Sequence, residues 1–269
     1  MPENKLLMPH LKLTSIVLAF ALLILSIGTY AGYTKLVGNV KTLTKTEKLD
    51  VIVGLAKPPY VMPEENTGFE LELISAVLAR MDISPRFIYV PLGRSVKLMD
   101  QGMGEALLTI NKFIVPNSNI RTAPYITYRN VAISLSSNKI SINGMMDLAN
   151  NSVAAFQFAH KYLGQEFAAA AKQNNDYIEV PNQFQQVRLL LEERVKVVVM
   201  DINIFNHIYT ELTFETGNTP AYSVHEVFPS SPYSMAFKDG TKVKAFNTEL
   251  SLYLKSKDYS SLRKKYNIQ

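Results

Sequence analysis

Short apolar runs alternate with amphipathic segments along most of the chain, which predicts alternating strands and helices. Residues 50–56 form a β-branched and apolar run, typical of a buried parallel strand. Because Pro58 and Pro59 follow it and proline has no backbone N–H, we expect the strand to end there. A helix is predicted after Gly68, with an apolar face running from Phe69 to Met81 and acidic residues near its N-terminus.

The same pattern continues to the C-terminus. Further strands are predicted at residues 86–90, 105–110, 130–136, 152–156, 177–180, 194–201 and 223–228. Further helices are predicted at residues 94–101, 157–171, 182–193, 202–209, 243–255 and 259–266. Strands that alternate with helices indicate an α/β fold with mostly parallel sheets.

Two positions in this pattern suggest ligand contacts. Tyr60 follows the first strand, and open α/β sheets bind ligands beyond the carboxyl ends of their strands. The turn at Phe156, Gln157 and Phe158 precedes a predicted helix, so its free backbone N–H groups are expected to form an anion site.

Composition excludes several classes of function. The chain has 269 residues and a formal net charge of +5, and its scattered basic residues form no stripe typical of nucleic-acid binding. It contains no cysteine, which excludes disulfides and thiolate chemistry. The four histidines have no metal-ligand spacing, and no dinucleotide-binding, P-loop or nucleophile-elbow motif is present. We therefore predict no cofactor, no metal site and no catalytic residue.

The N-terminus has the pattern of an export signal. Lys5 and Lys12 precede an apolar run at residues 16–25, and small residues follow up to Ala31. This run is shorter than the roughly 20 residues that a spanning helix needs. Residues 1–31 are predicted to be a cleaved signal peptide or an uncleaved signal anchor, and residues 32–48 a polar linker, so the remainder is expected to lie in the periplasm.

Several motifs in order resemble one family. The loop K-P-P-Y followed by G-F-E-L-E-L-I-S-A-V, the run R-V-K-V-V-V-M-D ending at Asp201, and the closing Y-S-S-L-R-K-K-Y are similar to the extracytoplasmic solute-binding proteins of family 3. These are the amino-acid-type receptors of bacterial ABC importers, with the type II periplasmic-binding-protein fold. The resemblance covers about residues 49–267.

The resemblance implies an α/β fold of two lobes, each with a mostly parallel sheet flanked by helices, joined by two crossover strands. Residues 49–136 and 233–269 are expected to form lobe 1, and residues 137–232 lobe 2. A small polar ligand, which could carry an amine, would bind between the lobes and stabilise hinge closure. The implied partners are this ligand and the membrane subunits of an importer, and a monomer is expected.

The resemblance also implies site residues. Asp201 would accept hydrogen bonds from an ammonium group, since a desolvated carboxylate needs a charged partner; it also suits the N-cap of the next helix, and both roles can coexist. The other expected contacts are an aromatic wall at Tyr60, a cation at Arg94, polar groups at Thr109 and Asn111, and the turn at Phe156, Gln157 and Phe158.

One departure from the family leaves the ligand open. Members that take α-amino acids carry an arginine about ten residues before a Pro-Tyr pair, and Val115 stands at that position here. The guanidinium that would grip a carboxylate is therefore missing. Either Arg94, Lys112 or Arg121 substitutes for it, or the ligand is not an α-amino acid.

Two other functions remain open from the sequence. The fold is shared by proteins that resemble cyclohexadienyl dehydratase, and fold does not fix function; His160 and Glu105 would be the candidate catalytic residues. A membrane-tethered ligand-sensing domain is the third possibility, if residues 1–31 are retained.

Overall fold

Two five-stranded sheets form the framework of the protein in a computed structural model that describes residues 46–268. The predicted signal or anchor, and all but the last residues of the predicted linker, lie outside the described residues. Within residues 46–268, no helix is both long enough and apolar enough to cross a membrane.

The first sheet has the strand order β2-β1-β3-β10-β4. β1 is parallel to β2 and β3, whereas β10 is antiparallel to β3 and β4. The predicted buried parallel strand is therefore confirmed, and Val51, Ile52 and Val53 have no exposed surface. The strands are β1 (Glu47–Val53), β2 (Ile83–Tyr89), β3 (Ala106–Ile110), β4 (Ile126–Tyr128) and β10 (Ser231–Phe237).

The second sheet has the order β7-β6-β8-β5-β9, and its three parallel strands β6, β7 and β8 are followed by an antiparallel pair. Val197, Val198 and Val199 are completely buried in its centre, as expected for a parallel strand covered on both faces. The strands are β5 (Asn130–Leu135), β6 (Val153–Phe156), β7 (Tyr177–Val180), β8 (Val197–Asp201) and β9 (Tyr222–His225).

Helices pack against both sheets. The apolar face predicted for the first helix is buried, with Leu73, Ile74 and Val77 completely covered. The helices of the first lobe are α1 (Phe69–Ala79), α2 (Leu92–Asp100), α7 (Thr241–Tyr253) and α8 (Lys257–Lys265). Those of the second lobe are α3 (Ala159–Tyr162), α4 (Gln165–Gln173), α5 (Gln183–Leu191) and α6 (Ile202–Thr216).

The structure corrects two predictions about the second lobe. Residues 130–136 were assigned to lobe 1, but β5 is hydrogen-bonded to β8 and β9 and thus belongs to the second sheet. The single helix predicted at residues 157–171 is two helices that begin only at Ala159. Phe158, with a φ of 62°, delays the start, and Gly164, with a φ of 95°, separates the two.

Two neighbouring chain segments join the lobes. The chain leaves the first sheet after β4 and enters the second at β5, and it returns through β10. β10 pairs with β4, with Ser231 opposite Tyr128. The lobes are therefore connected at one edge, which leaves the carboxyl ends of their parallel strands facing a common cleft.

Candidate functional site

A cavity of about 90 Å³ lies in the cleft between the two lobes. Its walls include residues at or just after the carboxyl ends of β1, β3, β6, β7 and β8, the position where open α/β sheets place ligands. It is smaller than the roughly 300–1,000 Å³ of pockets for drug-sized ligands, so this closed arrangement suits a small molecule. The cavity is lined by Gly54, Leu55, Ala56, Lys57, Leu92, Leu108, Thr109, Tyr128, Asn130, Phe156, Gln157, Tyr162, Pro181, Gln183, Asp201, Ile204 and Tyr233.

On the side of the first lobe, the lining residue Lys57 belongs to a buried ion pair. Lys57 Nζ donates to Glu70 Oε1 at 3.0 Å, to Thr109 Oγ1 at 2.6 Å and to the Tyr128 hydroxyl at 3.0 Å. Glu70 is completely buried and also accepts hydrogen bonds from the hydroxyls of Thr109, Tyr125 and Tyr128. The charge of each partner is therefore compensated within the protein.

The ionisation of this pair follows from its contacts. Burial alone would raise the pKa of Glu70, but Lys57 and the three hydroxyls stabilise the carboxylate and together lower that pKa. Burial lowers the pKa of Lys57, and the neighbouring Glu70 opposes this shift. We conclude that Glu70 is ionised at neutral pH and that Lys57 is its counter-ion.

Asp201 provides a second buried carboxylate, on the side of the second lobe. As the sequence predicted, it caps a helix: Oδ1 accepts from the backbone N–H groups of Asn203 and Ile204 at the start of α6. Oδ2 accepts from the backbone N–H of Arg129 at 2.9 Å. Burial raises the pKa of Asp201 to about 6, because these neutral donors offset only part of the desolvation cost.

Tyr60 lies behind the cavity and not on its wall. Its hydroxyl, in the first lobe, donates to Asp201 Oδ1 in the second lobe at 3.1 Å and accepts from Asn203 Nδ2 at 2.9 Å. Its ring is stacked on Tyr128, with centroids 4.5 Å apart. The expected aromatic wall is thus provided by Tyr128, while Tyr60 forms a hydrogen bond between the lobes.

The two polar residues predicted after β3 have different positions. Thr109 lines the cavity, but its hydroxyl is engaged by Lys57 and Glu70. Asn111 is buried, does not line the cavity, and donates to the backbone carbonyl of Tyr162 in the other lobe at 3.4 Å. Asn111 therefore contacts the opposite lobe in this closed arrangement.

The turn after β6 is only partly as predicted. Phe156 and Gln157 line the cavity, whereas Phe158 packs near Gly93 of the first lobe. The backbone N–H groups of Phe158 and His160 donate to the carboxylate of Glu179, at 2.7 and 3.2 Å. The expectation of a free amide is thus wrong for Phe158, because an internal carboxylate already binds its N–H.

None of the three basic residues considered as substitutes for the missing arginine lines the cavity. Arg94 and Lys112 are exposed, and the guanidinium of Arg121 donates to the backbone carbonyl of Val115. Among residues 46–268, Lys57 is the only cationic side chain in the lining.

Sequence reasoning missed the most highly connected residues of the site. Lys57 was interpreted only as part of a strand-ending loop, and Glu70 only as an acidic residue near a helix N-terminus. One signal was present in the sequence. Glu70 lies on the face of α1 that packs inward, and a carboxylate buried there requires a cation beside it. Tyr128 and Gln183 gave no such signal.

Comparisons with known proteins agree on the fold. Neither a scan against protein-family models nor a search of curated proteins found a match. Among solved structures, the chain is similar to an ancestral arginine-binding protein bound to arginine, at 19% identity and a TM-score of 0.67, covering 82% of this chain and 99% of that chain.

Two further similar structures have other roles in their descriptions. One is a histidine kinase sensor domain with similarity to periplasmic binding proteins, at 17% identity and a TM-score of 0.69, covering 82% of this chain and 96% of that chain. The other is the ancestral amino acid-binding protein AncCDT-1, a precursor of cyclohexadienyl dehydratase, at 17% identity and a TM-score of 0.65, covering 81% and 95%. The chain has the fold of periplasmic binding proteins, as the sequence predicted.

Proposed function

We propose that this protein is an extracytoplasmic solute-binding protein that captures a small polar ligand between its lobes and delivers it to an ABC importer. The observation that carries the proposal is the cavity at the carboxyl ends of the strands, lined by both lobes and containing the buried carboxylate of Asp201. Oδ2 of Asp201 accepts one hydrogen bond, from Arg129, and a carboxylate oxygen has capacity for a second.

Ligand binding would stabilise the closed arrangement of the lobes. Tyr60 and Asn111 each form a hydrogen bond to the opposite lobe. A ligand that contacts both walls binds the closed state more tightly than an open one and shifts the population toward it. The membrane subunits of an importer would then recognise the closed shape.

A thermal-shift screen of the purified full-length protein tests this proposal. The library contains amino acids, amines, small carboxylates, sugars and prephenate. Saturation at about 100 times Kd stabilises the native state by roughly 2.7 kcal/mol, which raises Tm by about 5–10 °C for a domain of this size. A shift that is lost in Asp201→Asn but kept in Asp100→Asn, an exposed aspartate on α2, supports binding at this site; a shift unchanged in Asp201→Asn contradicts it.

The similarity to a histidine kinase sensor domain favours one alternative, in which the same binding event is reported across the membrane. Retention of residues 1–31 would tether the binding domain and support this role. The mass of the exported protein distinguishes the two: loss of about 31 residues favours a released binding protein, and the intact mass favours the tether.

The similarity to a dehydratase precursor motivates a test for enzyme activity. His160, one of the residues considered as catalytic, is held by Glu179 at 2.6 Å and does not line the cavity. Incubation with prephenate and detection of an aromatic product would establish the enzymatic alternative.

A further inference from the structure

The cation in the cavity lining is already engaged within the protein. Lys57 is the only cation in its lining among residues 46–268, and an ammonium group has three N–H donors. All three are used, on Glu70, Thr109 and Tyr128. A ligand carboxylate could therefore recruit Lys57 only by displacing one of these three acceptors.

An internal carboxylate also occupies part of the turn after β6. Glu179 accepts hydrogen bonds from the amides of Phe158 and His160 and from the hydroxyl of Tyr177. Burial raises the pKa of Glu179, but the hydrogen bond with the His160 side chain and the contacts with Tyr177, His160 and Phe158 together lower it, so the carboxylate is ionised. An incoming anion would be repelled by this negative charge.

Two acceptors in the cavity have capacity for a ligand that donates hydrogen bonds. Oδ2 of Asp201 has capacity for one more donor. Gln183 lines the cavity from the start of α5, and its buried Oε1 accepts no hydrogen bond from the described residues. Because a buried acceptor is costly when unpaired, both groups favour a ligand that donates hydrogen bonds.

Aromatic rings complete the lining. Tyr128 and Tyr233 have ring centroids 4.8 Å apart, Tyr233 and Tyr162 are 6.2 Å apart, and Tyr162 and Phe156 are 6.3 Å apart. Four adjacent rings beside one carboxylate form an environment that attracts an organic cation through its π faces.

We infer that the ligand is a small organic amine without a carboxylate group, held by Asp201, Gln183 and the ring cluster Tyr128–Tyr233–Tyr162–Phe156. This inference rests on the proposed binding function and specifies the ligand class of the same site. It separates this chain from the similar arginine-binding protein, whose ligand carries both an ammonium group and a carboxylate.

Matched pairs of compounds that differ by one carboxylate test the inference. The pairs are serine and ethanolamine, valine and isobutylamine, histidine and histamine, and arginine and agmatine. Binding to the full-length protein is measured by thermal shift and then by calorimetry. We expect at least one amine to bind on the order of 100-fold more tightly than its amino acid, because an unpaired carboxylate would be desolvated in the cavity.

Variants identify the groups that hold the amine. Asp201→Asn is expected to weaken binding about 10- to 100-fold, since it removes a charged hydrogen-bond acceptor. Gln183→Leu is expected to weaken binding about 2- to 10-fold, whereas Gln185→Leu, an exposed position on the same helix, leaves it unchanged. Circular dichroism confirms folding of each variant, and Gln183→Leu keeps the test valid if Asp201→Asn does not fold.

The outcomes separate this inference from the proposed function. An amino acid that binds as tightly as its amine overturns the ligand class and leaves the binding function intact. Amine binding that is unchanged in both Asp201→Asn and Gln183→Leu overturns the assigned site. If no member of any pair binds, the inference fails; a sugar or carboxylate that binds in the broader screen then preserves the binding function, and its absence removes that function too.

Discussion

Removing Lys57 should destabilise the protein far more than removing a surface lysine or arginine. The side chain of Glu70 has no exposed surface and that of Lys57 is 10% exposed, with 3.0 Å between Nζ and Oε1. Lys57→Met leaves Glu70 as an uncompensated buried charge. Breaking a buried pair in this way costs about 3–5 kcal/mol, which corresponds to a fall in Tm of roughly 6–20 °C for a domain of this size.

A double-variant cycle tests whether the cost comes from the orphaned charge. Glu70→Gln combined with Lys57→Met removes both charges, so we expect the double variant to be more stable than Lys57→Met alone. The measurement is the Tm of each full-length variant, obtained from thermal melts that are monitored by circular dichroism. The matched control is the surface pair of Arg80 and Glu249, 2.8 Å apart, where Arg80→Met should cost less than about 1 kcal/mol.

Two results would refute the reasoning. If Lys57→Met lowers Tm no more than Arg80→Met does, the pair does not carry the stability assigned to it. If the loss of stability in the double variant equals the sum of the losses in the two single variants, the charges are not coupled. The cycle also has a pH signature: because the folded-state pKa of Glu70 is lowered, its contribution is present above its ordinary pKa and is lost as the pH falls through the lowered value.

Three further predictions address the cleft. Amine affinity should weaken as the pH falls through about 6, where Asp201 becomes protonated. Calorimetry on either side of this pH should show the loss in the wild type and not in Asp201→Asn. Gly93→Leu should hold the lobes apart and enlarge the particle in small-angle scattering, since even a Cβ there would lie 2.6 Å from the Phe158 ring. The control is Gly144→Leu, because nothing lies within 4 Å of a Cβ at that position. Equal scattering of the two variants would contradict the contact between the lobes. Gly68→Ala should destabilise the protein by at least about 1–3 kcal/mol in a denaturation assay. The reason is that φ of Gly68 is 129° and the added Cβ would clash with the Tyr60 carbonyl oxygen. Gly164→Ala, at a position with a positive φ but open space, should cost less.

The fold was predictable because local patterns and motif order agree. The β-branched run before Pro58 and the apolar run before Asp201 are strands in the structure, and both end at the cleft as expected. The break at Gly164 was missed, because the alanine-rich composition around it favours a continuous helix while a single positive φ angle ends one. β4, an edge strand of the first sheet, has only three residues and is too short for periodicity to reveal.

The site was less predictable because its chemistry depends on pairings across long stretches of sequence. Lys57 and Thr109 are hydrogen-bonded although 52 positions separate them, and Tyr60 and Asp201 although 141 separate them. Motifs identify which positions reach the cleft, but they do not show whether a polar group there is already hydrogen-bonded to another residue of the protein. Glu179 illustrates this: nothing near the turn in sequence indicates that it binds the amides there.

The pairing of β4 with β10 has a consequence for how the protein can be divided. Tyr128 and Ser231 are opposite each other on adjacent antiparallel strands, and the whole second sheet lies in the chain between them. The second lobe is therefore an insertion into the loop of a β-hairpin. Domains with adjacent ends tolerate transplantation well. This lobe could therefore be exchanged for that of another protein of the same fold by cutting the chain at only two points. The two halves of the binding site could then be recombined independently.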